Sequence, residues 1–163
     1  MLDRNGAWEA VLENAYDIIV TGEINGEDTL SFKIPYRDGK RGYIDSEKKI
    51  QIVDDVYKVR TVTDTRDTDG SAVTEVYAEA EFYDLTFSVR KEERTFEAEY
   101  PETAMAYALE GTEWSVGTVT VRTKRTWTST EKNALSILRN TADLHGGDLV
   151  FDCPNRLVHL LTV

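Results

Sequence analysis

Thirty carboxylates, two histidines and one cysteine set the chemistry open to this chain of 163 residues. A zinc site needs three or four converging nitrogen, sulfur or oxygen ligands. His145 and His159 stand apart and Cys153 has no second cysteine, so both histidines read as structural. Asp64, Asp67 and Asp69 precede Gly70. An EF-hand, however, places its oxygens at alternate positions with a bidentate Glu at about position 12. Here the chain runs on into a strand pattern, and the three aspartates read as an acidic turn. No G-x-S-x-G elbow is present for a serine nucleophile. Cys153, beside Pro154, has no neighbouring cation to depress its pKa and reads as a small buried hydrophobe. A glycosidase needs two carboxyls in dissimilar environments across a cleft. Glu75, Glu79 and Glu81 share one strand face, where each would meet water. Gly146-Gly147 reads as a helix end, and no P-loop or dinucleotide fingerprint occurs. Arg122, Lys124 and Arg125, followed by Trp127, form a small basic patch that reads as a solvated strand end or a protein contact. No catalytic, cofactor-binding or metal-binding residue is therefore assigned.

Bulk properties narrow the classes further. A formal charge of −11 opposes binding to a phosphate backbone, so no specific nucleic-acid binding is expected. A single cysteine allows no intrachain disulfide, which fits synthesis in a reducing cytoplasm. No run approaches the ~18 apolar residues of a membrane span. The opening Met1-Leu-Asp-Arg-Asn-Gly-Ala-Trp8 lacks the apolar core of a signal peptide. Neither a cofactor nor a membrane partner is expected.

The elements that would carry any site are mostly strands. Asn25-Gly26, between Asp17–Ile24 and Glu27–Pro35, predicts a hairpin with a type I′ turn, in which both central residues take positive φ. After it, Leu30, Phe32 and Ile34 alternate with Ser31 and Lys33, a half-buried strand. Before it, Ile18, Val20 and Ile24 share one parity. Two patterns compete at the start of the chain: near-helical spacing of Trp8, Val11, Leu12, Ala15 and Ile19, and an Asn5-Gly6 turn between Met1–Arg4 and Trp8–Leu12. Strands on either side of that turn are preferred to the helix. A charged loop, Tyr36–Lys49, leads to strands Ile50–Val53 and Val56–Thr63, joined at Asp54-Asp55. Val76, Ala78, Ala80 and Phe82 alternate with Glu75, Tyr77, Glu79 and Glu81. That parity changes near Tyr83, where Leu85, Phe87 and Val89 take over, and a bulge or strand end is expected there.

The pattern changes near Arg94–Tyr100. Pro101 at a first helical position, Glu102 in the first turn and Gly111 beyond Glu110 predict a short helix. Trp114, Val116, Val119 and Val121 then alternate among small polar residues, with Gly117 shifting the phase. Thr128 with Glu131 matches a capping box. Ala134, Ile137, Leu138, Thr141 and Ala142 form the buried stripe of the helix that follows, with Gly146 as its stop. Leu149–Cys153 and Leu157–Thr162 pair across Pro154-Asn155. The expected fold class is α+β, mostly β: an antiparallel β-barrel-like domain over 1–94 and a small α+β domain over 95–163, with two short helices and about three strands. The chain closes on a strand with no tail, as a piece of a longer protein would.

Several runs carry a family resemblance, in order, over nearly the whole chain. They are Glu23-Ile-Asn-Gly-Glu-Asp-Thr-Leu-Ser-Phe-Lys-Ile-Pro35, Tyr43-Ile-Asp-Ser-Glu47, Asp55-Val-Tyr-Lys-Val59 and Thr74-Glu-Val-Tyr-Ala-Glu-Ala-Glu-Phe-Tyr-Asp-Leu85. With them goes the helix–Gly-Gly–strand run from Trp127 to Asp152. Together they resemble the N-terminal region of the phage minor structural protein, or prophage tail endopeptidase, family. The resemblance implies a tail-tip or baseplate hub, assembling as a homotrimeric ring that connects the tail tube to distal host-recognition or wall-penetrating parts. It implies a distal tail protein or tail-tube ring as partner, and a virion location after synthesis in the bacterial cytoplasm. Lytic or carbohydrate-binding regions in the family lie further toward the C-terminus, so no catalytic residue transfers and an enzyme is not expected. Two alternatives stand beside the hub. One is a peptidoglycan-degrading tail-associated enzyme. The other is a carbohydrate-binding module, favoured if Tyr77, Tyr83 or Trp114 formed an exposed aromatic platform.

Overall fold

The computed structural model describes residues 1–53, 55–88 and 92–162. The chain divides into two compact units, Met1–Glu81 and Phe82–Val163. As expected, it is mostly β, with a curled antiparallel half-barrel sheet and a small α+β region.

The first unit is one antiparallel sheet. Its strands are β1 (Tyr16–Gly22), β2 (Asp28–Pro35), β3 (Lys49–Ile52), β4 (Asp55–Arg66) and β5 (Ala72–Ala80). Their order is β1-β2-β5-β4-β3. Residues directly opposite in an antiparallel pair point to the same face. The pairs Leu30↔Ala78, Phe32↔Val76 and Ile34↔Thr74, continued by Ala78↔Val59 and Ala80↔Tyr57, therefore build one inner face. All of these side chains are buried. Each fully buried apolar side chain contributes about 1.5–3 kcal/mol. Between Val59 and Thr61 the register shifts, and Arg60 at this bulge pairs with Glu47 and Glu79, at 3.1 and 3.0 Å.

Both turns at the start of the chain exist, and one has changed chemistry. Leu2 bridges Trp8 across a turn in which Gly6 has φ 89°. The strands expected over Met1–Arg4 and Trp8–Leu12 reduce to this one bridge, and residues 9–15 form neither helix nor strand. In the β1–β2 hairpin, Asn25 takes the left-handed conformation (φ 57°) and Gly26 does not. The turn is centred one residue earlier than a type I′ Asn-Gly turn would be, with the Gly26 amide donating to the Glu23 carbonyl at 3.0 Å. Asn tolerates the left-handed region because its short side chain bonds locally. Asp54 and Val89, which the sequence places at a strand junction and at the parity change, lie outside the described residues. The parity change itself is a strand end: β5 stops at Ala80 and a 3₁₀ turn, Glu81–Phe87, follows.

The second unit contains β6 (Arg94–Glu99), α1 (Pro101–Leu109), β7 (Ser115–Val119), β8 (Arg125–Ser129), α2 (Ala134–His145), β9 (Asp148–Asp152) and β10 (Leu157–Leu161). β10 lies between β9, antiparallel, and β7, parallel, while β6 pairs with β8 in a separate ribbon. α1 packs on α2. Pro101 occupies the first turn of α1, as expected. Two glycines are sterically required. A Cβ on Gly117 would lie 2.6 Å from the His159 ring, and one on Gly147 (φ 126°) would lie 2.7 Å from Val121 and 2.8 Å from the Leu161 carbonyl.

The start of α2 corrects the expected capping box. Thr128 belongs to β8, where its hydroxyl meets that of Thr95 at 2.9 Å. The N-cap is Asn133, whose side-chain oxygen accepts from the Ser136 amide at 2.9 Å. Cross-strand pairing with β6 holds Thr128 extended and moves the helix start five residues on, to Ala134. Asn133→Ala is expected to destabilise the protein by about 1 kcal/mol, and Glu131→Ala to stay within about 0.5 kcal/mol. Chemical denaturation of both variants checks this; the reverse order would return the cap to Thr128.

Candidate functional site

The acidic turn, the glutamates at and beyond the end of β5 and both histidines are engaged by the fold. Arg41 Nη2 donates to both carboxylate oxygens of Asp64 at 2.9 Å, and the Thr74 hydroxyl donates to Asp64 Oδ1 at 2.7 Å. Arg41 Nε in turn donates to Thr74 Oγ1 at 3.2 Å. The guanidinium, with the hydroxyl, holds the Asp64 carboxyl below the usual carboxylate range. Asp67 is bound by the Thr68 amide, the Lys33 ammonium and the Tyr16 hydroxyl, and its pKa is lowered in that order of causes. Asp69 accepts from the Ser71 amide at 2.8 Å. Three aspartates close in sequence thus turn to three different sets of partners. Among the described residues, no group of three His, Cys, Asp or Glu is placed to hold a metal ion.

Glu75, Glu79 and Glu81 do not share one environment, which corrects the sequence expectation. Glu75 lies 4.0 Å from Lys33, and Glu79 pairs with Arg60. Glu81 is buried, its carboxylate 2.7 Å from Lys49 Nζ. It follows the strand end, so the alternation that predicted exposure no longer applies to it. A buried carboxylate persists where a cation compensates its lost hydration. The charge of Glu81 is bound to the fold of the first unit.

The histidines serve the backbone. His145 Nδ1 donates to the Thr123 carbonyl at 3.0 Å, and His159 Nδ1 accepts from the Thr118 amide at 2.8 Å. The basic patch is likewise used internally: Arg122 pairs with Glu102, Lys124 lies over the Tyr100 ring and Arg125 donates to the Leu144 carbonyl. Trp127 packs on Phe96, with ring centroids 4.9 Å apart. Trp114 is only 6% exposed and stacks edge-on to Phe151, so it offers no platform to a sugar. Tyr77 is partly exposed on the sheet of the first unit, and Tyr83 stacks on Phe82 in the second.

What the first unit presents outward is an apolar strand. β1 pairs only with β2, at one edge of the sheet. Ile18, Ile19 and Val20 are 53%, 59% and 49% exposed. A groove of about 210 Å³ beside it is lined by Trp8, Val11, Ile18, Phe32, Ile50 and Ile52 among others. Across the other face of the sheet lies a wider groove, of about 640 Å³, bordered by Asp17, Ile19, Lys33, Thr61, Glu75 and Tyr77. Parity along β1 gave no sign of this exposure, because alternation does not tell an inner strand from an edge. Contiguous exposed apolar surface marks binding, and an unpaired edge strand is a template for another strand.

Fold and surface define a two-unit, strand-rich module with one exposed apolar strand. Residues 1–80 match the family described as prophage endopeptidase tail N-terminal domain, and residues 88–160 match the prophage endopeptidase tail domain. The chain belongs to this prophage tail protein family. A search of the curated proteins found no match. Among solved structures, the chain is similar to prophage tail protein gp18 from Listeria monocytogenes EGD-e, with a TM-score of 0.80 and 14% identity, covering 99% of this chain and 49% of that one. It is also similar to the 43 kDa tail protein of prophage MuSo2 from Shewanella oneidensis, with a TM-score of 0.54 and 10% identity over 82% of this chain and 44% of that one. The chain thus spans about half the length of these structural relatives.

Burial pushes the His145 pKa below its ordinary value of 6.5. Between the two values the unfolded chain binds more protons than the folded one, so stability falls as pH drops below about 6.5. Melting temperatures at about pH 7 and pH 5.5 are expected to differ in the wild type, and His145→Gln is expected to shrink that difference. An unchanged difference in the variant would assign the slope to another group.

Proposed function

We propose that this protein is a structural part of a phage or prophage tail tip or baseplate hub. It would assemble as a homotrimeric ring that connects the tail tube to distal host-recognition or wall-penetrating parts. The family supports a tail component. The observation that carries the structural role is the exposed apolar edge of β1 with its neighbouring groove, on a chain of net charge −11. A strongly acidic surface keeps a protein soluble and monomeric, and an apolar edge left within it marks where partners are admitted. The partners would be a distal tail protein or a tail-tube ring, and the location the virion.

Quantitative mass spectrometry of purified tails is expected to give three copies of the chain per particle. Absence from the particle, or a copy number that three does not divide, would sink the hub. Within the assembled tail, Ile19→Lys is expected to lower incorporation at least tenfold while leaving the melting temperature of the isolated protein within a few degrees.

A second reading comes from the word endopeptidase, which belongs to the family's description. Purified protein in a peptidoglycan zymogram is expected to leave the gel uncleared. A clear band that migrates with the chain would replace the scaffold by an enzyme.

A further inference from the structure

We propose, resting on the tail-component assignment above, that β1 is completed by an extended, apolar strand with cationic side chains, donated by a different protein of the tail. Its main chain would add to the free edge of the sheet, as in strand-addition recognition.

The two edges of this sheet are not equivalent. β3 is covered at Lys49, whose amide and carbonyl both bond Leu2, at 3.2 and 2.7 Å. β1 has no strand on its outer side among the described residues. Soluble proteins blunt such edges with lysine, proline, inward charges or bulges. Tyr16-Asp-Ile-Ile-Val-Thr-Gly22 contains no lysine or proline, and its one irregularity lies between Tyr16 and Ile19. Residues 19–22 keep regular register with β2. They carry two adjacent β-branched apolar residues, half exposed, in a conformation ready to pair.

Alternate side chains of an added strand would point to opposite faces. On the inner face they would meet the apolar groove of Trp8, Val11 and Ile18. On the outer face they would meet an excess of carboxylate. There Lys33 is shared by Asp17, Asp67 and Glu75, at 3.6, 3.2 and 4.0 Å. One ammonium among three carboxylates leaves two negative charges. Glu23 and Glu27, exposed beside the hairpin turn, have no ion pair among the described residues. These charges select the occupant. A second copy pairing β1 with β1 would set Asp17, Glu23 and Glu27 of each chain near those of the other, and like charges across an interface cost several kcal/mol. A strand with apolar residues on one face and lysine or arginine on the other satisfies both grooves.

The probe is a fluorescent nine-residue peptide of alternating lysine and valine. Anisotropy with the wild-type protein is expected to show saturable binding, at least about tenfold weaker when glutamate replaces lysine. The same lysine–valine peptide, N-methylated at alternate residues, keeps its charge and loses half its main-chain donors. It is expected to bind at least about tenfold more weakly. Ile19→Lys, checked by circular dichroism to be folded, should weaken binding comparably, and hydrogen exchange should slow at amides within β1 when the unmodified peptide is added. Equal binding of the N-methylated peptide, or protection elsewhere, would reduce the effect to charge attraction and overturn the proposal. So would a concentration-dependent dimer abolished by Ile19→Lys, which would put a second copy on the edge. None of these results touches the copy number in purified tails, so this proposal can fail while the tail-component assignment stands.

Discussion

The register between β2 and β5 is the constraint on which the first unit depends. These strands are far apart in sequence, yet seven consecutive pairs, Thr29↔Glu79 to Pro35↔Val73, join them without a shift. A slip of one residue would turn Leu30, Phe32 and Ile34 to water and carry Ser31 and Lys33 inward. Correct register also decides what is left over. It sets Tyr77 and Glu75 beside Ser31 and Lys33 on the outer face, and it holds β1 at the end of the sheet. The inner core and the open edge are therefore consequences of one pairing. β3, at the opposite end, is bridged at Lys49 by Leu2, while among the described residues β1 has no strand on its outer side.

Much of this fold is legible in the residues. Alternation located β2 and β5, because both have one dry and one wet face. Pro101 marked α1 and Gly146 marked the end of α2, because helix ends leave unpaired backbone groups that only a few residue types accommodate. Three features were hidden. β8 was read partly as a basic patch and partly as a helix cap, because Arg125-Thr-Trp-Thr-Ser129 has one apolar residue and its strand state comes from pairing with β6. Asn133 as the true cap was visible in type but masked by the stronger Thr128–Glu131 pattern. The parallel pairing of β7 with β10 joins segments across two intervening strands and a helix, and local pattern carries no information about it. The pattern change near Arg94 coincides with the first strand of the second unit, while the preceding 3₁₀ turn has no periodicity to announce its membership.

The candidate site was less legible than the fold, for a reason that lies in the residues. Asp64, Asp67 and Asp69 could be set aside as a calcium loop by spacing alone, and their partners Arg41, Lys33 and the Ser71 amide now account for them. Glu81 could not be separated from Glu75 and Glu79, since its burial depends on where β5 ends and on Lys49 from another strand. β1 posed the opposite difficulty. Ile18, Ile19 and Val20 have the composition of a core strand, and only sheet order shows that they are at an edge. In an isolated chain such residues raise the free energy of the exposed state. Their presence makes sense when the exposed state is not the working one.

Charge and apolarity on this chain act in opposite directions, and their balance bears on assembly. The net charge of −11 repels other copies of the same chain at long range, within roughly a Debye length of 8–10 Å at moderate salt. The apolar edge attracts at short range, once backbones approach to the spacing of paired strands, about 4.8 Å. A free chain therefore meets its own kind with the barrier first and the reward second, which delays premature self-pairing. A partner of opposite charge meets no such barrier and is drawn toward the edge before contact. The same carboxylates around Lys33 that look superfluous in a folded monomer would then set the order in which parts join, with strand pairing supplying the strength once the correct part has arrived.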